Sequence, residues 1–158
     1  MSRKTMTLCI IYKNGKVLLA MKKRGFGEGK WNGFGGKVLP DETIEQAMLR
    51  ECLEEARIKP LNYEEFAIFE FNFPSGKENL NCEVHVFKAR DLDSEPQETD
   101  EMRPQWFLKN EIPYDKMWSP GKHWLKLFLQ GKKLKGEFYF DDNDNLEKHF
   151  LQEVEELI

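Results

Sequence analysis

The sequence is poor in the residues that build disulfide frameworks and zinc sites. Among its 158 residues are three cysteines, an odd number, and no two of them form a CxxC pair. The three histidines are scattered and share no ligand spacing with the cysteines, which argues against a typical zinc site. We therefore expect Cys9, Cys52 and Cys82 to be reduced thiols of a cytoplasmic protein, with Cys52 in the core.

Long apolar runs and excess positive charge are also missing. No stretch approaches the roughly eighteen apolar residues of a membrane span, and the N-terminus has no apolar run followed by a cleavage site. The formal charge of −4 argues against a broad surface for nucleic acid or an acidic membrane. The expectation is a soluble, cytoplasmic monomer whose partners include neither a nucleic acid polymer nor a membrane.

The chain is long enough to bury a sizeable core as a single domain over residues 1–158, and no repeat or linker divides it. Asn14-Gly15 between two apolar runs predicts a β-hairpin. Thr43 with Gln46 matches a capping box for a helix that should end near residue 56. Further strands are expected over 66–73, 82–89, 103–108 and 137–140, a second helix over 124–129, and either helix or strand over 146–157.

Residues 25–37, GFGEGKWNGFGGK, hold six glycines in thirteen positions. We interpret this stretch as a loop whose backbone bends sharply or approaches another group closely. The order of strands, helix, strands, helix and strands predicts a mixed sheet with helices packed on it, not an alternating βαβ nucleotide fold.

The predicted first helix changes from apolar to acidic along one face. At about 100° per residue, Glu51, Glu54 and Glu55 continue the stripe that begins at Ile44. One interpretation is a solvated charge run, which is common for glutamate clusters. The other is a site for a hard divalent cation, whose charge would cancel the mutual repulsion of the carboxylates.

Residues upstream of this helix complete a longer pattern. The pattern is Gly36, then five residues, Glu42, then seven residues and RECLEE. It matches the signature G-x5-E-x7-R-E-U-x-E-E-x-G-U of the Nudix hydrolases at every charged position. Three further segments resemble the branch of this family that hydrolyses oxidised purine nucleoside triphosphates such as 8-oxo-dGTP. They are MKKRGFGEGKWNGFGGKV, DEMRPQWF and HWLKLFLQGKKLKG. The resemblance implies the Nudix α/β/α sandwich with a mixed β-sheet, of class α/β (α+β), in which Glu42 and Arg50 hold the loop against the helix.

The resemblance also implies a chemistry. It is Mg²⁺-dependent hydrolysis of the α–β phosphoanhydride to a monophosphate and pyrophosphate, which sanitises the nucleotide pool. Glu51, Glu54 and Glu55 would be the catalytic residues and would hold Mg²⁺ together with the Gly36 carbonyl and Glu101. A glutamate can take the proton of the attacking water.

Substrate contacts are implied by the same resemblance. Lys22 would approach the phosphates, Asn32 can read a base edge because its amide is both donor and acceptor, and Trp118 can stack on a purine. Without the resemblance, Lys22 fits a solvent lysine equally well, Asn32 fits the common turn residue before glycine, and an ordinary core position is favoured for Trp118. The expected substrate-binding set is Thr7, Lys22, Phe26, Asn32, Phe34, Gly35, Gly36, Lys37, Phe69 and Trp118.

Two positions depart from the pattern. The last glycine of the signature is Arg57, which affects the exit from the helix more than the chemistry. In the oxidised-purine branch, two aspartates follow shortly after the tryptophan and contact the base edge. Here Pro120 and Gly121 stand at both positions after Trp118, and neither has a side-chain donor or acceptor. The base preference is therefore left open.

Two alternatives remain. The chain can be a Nudix hydrolase for another diphosphate, such as a dinucleoside polyphosphate, a nucleotide sugar or an RNA 5′ end, although the RNA version would favour a basic groove. It can also be a binding module that keeps the fold without turnover. Loss of a signature glutamate would mark such a module, and all three are present.

Overall fold

The computed structural model describes residues 3–158. They form nine strands, which belong to one mixed sheet, and two α-helices. The strands are β1 (Lys4–Lys13), β2 (Lys16–Lys22), β3 (Trp31–Asn32), β4 (Phe34–Lys37), β5 (Pro60–Asn72), β6 (Cys82–Leu92), β7 (Met102–Leu108), β8 (Lys133–Phe140) and β9 (Leu146–Val154). The helices are α1 (Ile44–Ala56) and α2 (Gly121–Leu129).

The sheet follows the order β3-β2-β1-β6-β5-β8-β9, while β4 pairs with β1 and β7 pairs with β2. The pairs β1–β6 and β5–β8 are parallel, and the other pairs are antiparallel. The predicted mixed sheet is therefore confirmed. No helix among residues 3–158 is long and apolar enough to cross a membrane.

Each face of the sheet has its own apolar core. The residues Met48, Cys52 and Ala56 of α1 pack with β1, β4 and β6 in one buried cluster. Trp124 and Phe128 of α2 belong to a second cluster built mainly on β5 and β8. This arrangement of helix, sheet and helix is the expected α/β/α sandwich.

Local sequence signals account for several of these elements. Asn14 and Gly15 both have positive φ, 53° and 75°, as a two-residue hairpin turn requires. The Thr43 side chain accepts a hydrogen bond from the Gln46 backbone N–H at 3.1 Å, and the Gln46 side chain accepts one from the Thr43 N–H at 2.9 Å. The predicted hairpin and capping box are both confirmed.

The structure corrects the interpretation of residues 25–37 as loop alone and resolves the ambiguity of the C-terminal segment. Trp31–Asn32 and Phe34–Lys37 form β3 and β4. Glycine-rich backbone carries few side chains, so it can fit as a strand where neighbouring elements leave little room. Residues 146–157, which allowed a helix or a strand, contain the strand β9 that pairs with β8.

Arg57 ends α1 in the left-handed conformation that glycine adopts most easily, with φ 59° and ψ 35°. Its backbone N–H lies within reach of the carbonyls of Cys52 and Leu53, as in a common C-terminal helix motif. The arginine thus keeps the geometry of the missing signature glycine at a cost in backbone strain.

We expect Arg57→Gly to raise the free energy of unfolding by about 0.5–1 kcal/mol. Relief of the left-handed strain, about 1–2 kcal/mol, exceeds the added flexibility of the unfolded chain, about 0.5–1 kcal/mol. Denaturant unfolding measures this change. Arg57→Ala is the matched control, because it removes the same exposed side chain and keeps the strain. Equal stabilities of the two variants would contradict the explanation.

Candidate active site

The acidic face of α1 lies against the glycine-rich strand β4. Glu55 is 3% exposed and accepts a hydrogen bond from the Gly35 N–H at 2.9 Å through Oε1. Glu51 is mostly buried, whereas the side chain of Glu54 is half-exposed. The three carboxylates therefore form a gradient from the interior of the site to the solvent.

Two glycines of β4 make this close packing possible. A Cβ atom at Gly35 would lie 1.9 Å from the Thr7 carbonyl oxygen, and one at Gly36 would lie 2.6 Å from Cδ of Glu51. No side chain fits at either position without displacing backbone or the Glu51 carboxylate. The Thr7 hydroxyl donates a long hydrogen bond to the Gly36 carbonyl at 3.5 Å, so a side chain of β1 also contacts the backbone of β4 here.

Arg50 joins the helix to the segment before it. Its guanidinium forms two bonds with the Glu42 carboxylate, at 2.5 and 2.9 Å, and donates to the Lys37 carbonyl at 3.0 Å. It also contacts Glu51 at 2.7 Å and Glu54 at 3.3 Å. The expected structural role of Glu42 and Arg50 is thus seen in their contacts, and the hydrogen bond from Arg50 lowers the pKa of Glu42.

Burial and like charge shift the acidity of the inner glutamates. Burial, reinforced by the charges of Glu51 and Glu101, raises the pKa of Glu55 to about 8 against the opposing effects of the Gly35 N–H and Lys22. Burial also raises the pKa of Glu51, with smaller contributions from Glu54 and Glu101 and opposition from Arg50. Glu101, on the loop before β7, therefore shares one electrostatic environment with the helix carboxylates.

A cavity of about 200 Å³ opens beside Glu55. Gly35, Gly36 and Lys22 line the end near the carboxylate. The wall is otherwise largely apolar, as is usual for small-molecule sites. Seven of the ten predicted substrate-binding residues line it, namely Thr7, Lys22, Phe26, Asn32, Gly35, Gly36 and Trp118.

Aromatic rings form part of the wall of the same cavity. Trp118 stacks on Phe140 with ring centroids 4.7 Å apart and planes inclined by 8°. Phe26 and Phe71 contact Trp118 in T-shaped arrangements, with ring centroids 5.6 and 4.9 Å away. Trp118 is half-buried and thus combines a core contact with a cavity contact, so the two interpretations of this residue are not exclusive.

Three predicted substrate-binding residues lie elsewhere. Phe34 is fully buried in the cluster beneath α1, and Lys37 is exposed on the side of Arg50. Phe69 is fully buried, packs on Trp124 and Phe138 and does not line this cavity. We exclude these three side chains from the candidate wall.

The structure adds lining residues that the sequence analysis missed. They are Met6, Leu8, Gly27, Lys30, Gly33, Phe71, Cys82, Val84 and Met102. Alternation along β5 could have suggested Phe71, since it shares a face with Phe69. Cys82 is a buried free thiol, and burial raises its pKa to about 11.

The donor chemistry of the site fits a hard divalent cation. Carboxylate and carbonyl oxygens are the ligands that such ions prefer. Burial is the main cause of the raised pKa values of Glu51 and Glu55, and Glu101 contributes to both through its charge. Within residues 3–158, however, no three acidic, histidine or cysteine side chains are grouped as a complete metal site. Arg50 instead holds Glu51 and Glu54.

A helix–sheet–helix sandwich with a glutamate-bearing helix packed on a glycine-rich strand defines a phosphohydrolase-type site. The NUDIX domain profile matches residues 1–155, and the chain belongs to the Nudix family. Nudix hydrolases generally use divalent metal ions, in agreement with the oxygen donors described above.

Individual relatives are similar over nearly the whole chain. The oxidized purine nucleoside triphosphate hydrolase of Danio rerio is 47% identical over 154 residues, covering 98% of this chain and 97% of that protein. The Mus musculus protein of the same name is 42% identical over 149 residues, 94% of each chain. A MutT protein of Bacillus halodurans superimposes with a TM-score of 0.81 at 28% identity, covering 94% of this chain and 97% of the other.

We expect Gly36→Ala to lower the free energy of unfolding by about 1–3 kcal/mol, because the added methyl group overlaps the Glu51 carboxylate. Combining Gly36→Ala with Glu51→Ala should recover most of the loss, since the overlapping atoms are then absent. A double-mutant cycle in denaturant measures the coupling. Additive effects of the two substitutions would show that Gly36 is required for another reason.

Proposed function

We propose that this protein hydrolyses oxidised purine nucleoside triphosphates such as 8-oxo-dGTP to the monophosphate and pyrophosphate, with Mg²⁺, and so sanitises the nucleotide pool. The observation that carries the proposal is one cavity lined both by Glu55 and by the aromatic side chains Trp118, Phe26 and Phe71. The names of the Danio rerio and Mus musculus relatives support the substrate class.

The polar end of the cavity fits phosphate hydrolysis. Mg²⁺ bound by Glu51, Glu54, Glu55, Glu101 and the Gly36 carbonyl would supply charge stabilisation for the phosphates and a more acidic water. Glu55 is the signature glutamate that lines the cavity, and its Oε1 is held by the Gly35 N–H. We assign it the proton of the attacking water, taken at Oε2.

The phosphates would be held by Lys22, whose charge already acts on Glu55. In the wall of the same cavity, the Asn32 Oδ1 accepts the Gly33 N–H at 2.9 Å, so its amide N–H groups are left to donate to acceptors on a base edge. Trp118 and Phe26 would enclose the purine ring.

The wider expectations form part of the same proposal. The sheet includes strands from Lys4 to Val154, which supports one Nudix domain over residues 1–158. Three free buried cysteines suit a reducing cytoplasm. We propose a monomer that acts on nucleotides and not on nucleic acid polymers or membranes.

A second candidate function is hydrolysis of a dinucleoside polyphosphate. A cavity of about 440 Å³ adjoins the first and shares Phe26, Lys30 and Trp118 with it, and Tyr114 and Lys122 extend its wall. The aromatic rings of this wall suit a second nucleoside, while its charge is mixed, because Asp115 and Asp144 line it together with the two lysines. Pro120 and Gly121 are buried and line neither cavity, and the buried hydroxyl of Ser119, which lines the larger one, has no hydrogen-bond partner within residues 3–158.

We expect Glu55→Gln to lower kcat by about 10²–10⁴, the usual contribution of a general base. Folding should be kept or improved, because the amide oxygen can still accept the Gly35 N–H and glutamine removes an acid whose charged form is disfavoured by burial. Pyrophosphate release and thermal unfolding measure the two effects. Glu45→Gln, on the outer first turn of the same helix, is the control and should keep full activity. Near-normal turnover by Glu55→Gln would remove this residue from the mechanism.

The substrate class is tested by pyrophosphate release from 8-oxo-dGTP, 2-hydroxy-dATP, O6-methyl-dGTP, dGTP and dATP, with a dinucleoside polyphosphate beside them. We expect a modified purine to give the highest kcat/KM. Preference for the dinucleoside polyphosphate would support the second candidate. No turnover of any compound would favour a binding module.

For the preferred nucleotide, we expect Trp118→Ala to raise KM by roughly 5–150-fold with a much smaller change in kcat, since aromatic stacking on a base contributes about 1–3 kcal/mol. Steady-state kinetics separates the two constants. Phe150→Ala is the control, because this ring is 59% exposed on the distant strand β9. An unchanged KM would assign Trp118 to the core alone.

A further inference from the structure

The segment between β6 and β7 closes the carboxyl end of α1. The last carbonyls of a helix lack partners within the helix and need them from outside. Here the Ala56 carbonyl accepts the Gln97 N–H at 2.9 Å, and the Arg57 carbonyl accepts the Ser94 hydroxyl at 3.3 Å. The Glu55 carbonyl, between the catalytic carboxylate and the end of the helix, accepts the Thr99 hydroxyl at 2.9 Å.

Thr99 differs from the other two partners because its hydroxyl also faces the loop that carries Glu101. The same oxygen accepts the backbone N–H groups of Glu101 and Met102, both at 3.3 Å. The hydroxyl therefore uses its one donor and both acceptor positions. The Thr99 N–H donates in turn to the Met102 carbonyl at 3.0 Å, which closes a tight turn around Glu101.

Side-chain contacts of Glu101 are too weak to fix it in place. Its carboxylate is 43% exposed and lies 3.7 Å from Arg24, which is 66% exposed. An ion pair of this kind contributes little in water. Its position is set by the backbone instead, through the Thr99 hydroxyl on one side and the Lys23 N–H, which donates to the Glu101 carbonyl at 2.9 Å, on the other.

We propose that Thr99 is a positioning residue that holds Glu101 at a fixed place relative to Glu55 and thereby sets the affinity of the site for its divalent cation. This inference rests on the metal site in the proposed function. Thr99 touches neither the cation nor the substrate in this assignment. Its effect passes through the Thr99 hydroxyl, which is hydrogen-bonded to the backbone of both Glu55 and Glu101.

The test compares Thr99→Val with the wild-type chain by titrating the substrate-free protein with Mn²⁺ and following free Mn²⁺ by electron paramagnetic resonance. Valine keeps the shape of threonine and removes the hydroxyl. We expect roughly tenfold weaker Mn²⁺ binding, the usual effect of losing a residue that orients a metal ligand. The Mg²⁺ concentration for half-maximal activity should rise equally, while the nucleotide KM and kcat at saturating Mg²⁺ stay within about twofold. Thr99→Ser should restore Mn²⁺ binding.

Ser94→Ala is the matched control, because it removes a hydroxyl from the next-but-one carbonyl of the same helix end with no link to Glu101. It should lower the melting temperature without changing Mn²⁺ affinity. If Thr99→Val binds Mn²⁺ as tightly as Ser94→Ala does, while Glu101→Gln binds it weakly, the positioning role is wrong and the metal site stands. If Glu55→Gln and Glu101→Gln bind Mn²⁺ as the wild type does, the proposed metal site is wrong and the role of Thr99 with it.

Discussion

The contact between the glycine backbone of β4 and the glutamates of α1 is the constraint on which the site depends. Gly35 must lie against the Thr7 carbonyl and Gly36 against the Glu51 carboxylate, at distances that exclude any Cβ atom. Only this approach lets the Gly35 N–H reach Glu55. A buried carboxylate without a hydrogen-bond donor would destabilise the fold. The absence of side chains at Gly35 and Gly36 is therefore what allows Glu55 to be buried.

The same crowding explains why Arg50 is central. Glu42, Glu51 and Glu54 all contact its guanidinium, so one cation offsets three carboxylates when no metal is bound. A planar group with five donors can serve several carboxylates at once, which a lysine cannot. Binding of a divalent cation would then compete with Arg50 for Glu51 and Glu54 while leaving the Glu42 contact in place. The helix can therefore stay anchored to β4 whether or not the metal is present.

Local signals in the sequence predicted local structure well. The Asn14-Gly15 turn and the Thr43 cap were readable because each acts over two to four residues. The signature spacing placed Glu51, Glu54 and Glu55 on one helix face for the same reason. The strands within residues 25–37 were missed, since their pairing with β1 and β2 is set by distant parts of the chain.

The substrate wall shows the same limit in one strand. Phe69 and Phe71 share a face of β5 by simple alternation, and Phe73 directly follows the strand. Which of them reaches the cavity depends on where α2 packs over that strand and on how β8 pairs beside it. Phe69 lies under Trp124 and Phe138, while Phe71 lies at the edge against Trp118. Period alone cannot separate them, because the difference arises from packing between elements far apart in sequence.

Base selectivity in this chain must come from polar groups of the cavity wall that complement the edge of the base, in addition to its aromatic rings. In the proposed function, stacking on Trp118 would accept any purine face, so it would not by itself distinguish a modified base. Pro120 and Gly121 contribute no acceptor, and a Cβ at Gly121 would already lie 3.0 Å from the Met117 methyl group. Asn32, whose oxygen is held by Gly33, is left as a donor. A base edge rich in carbonyl oxygens complements a donor, whereas an amino group placed there would face a second donor and lose its partner.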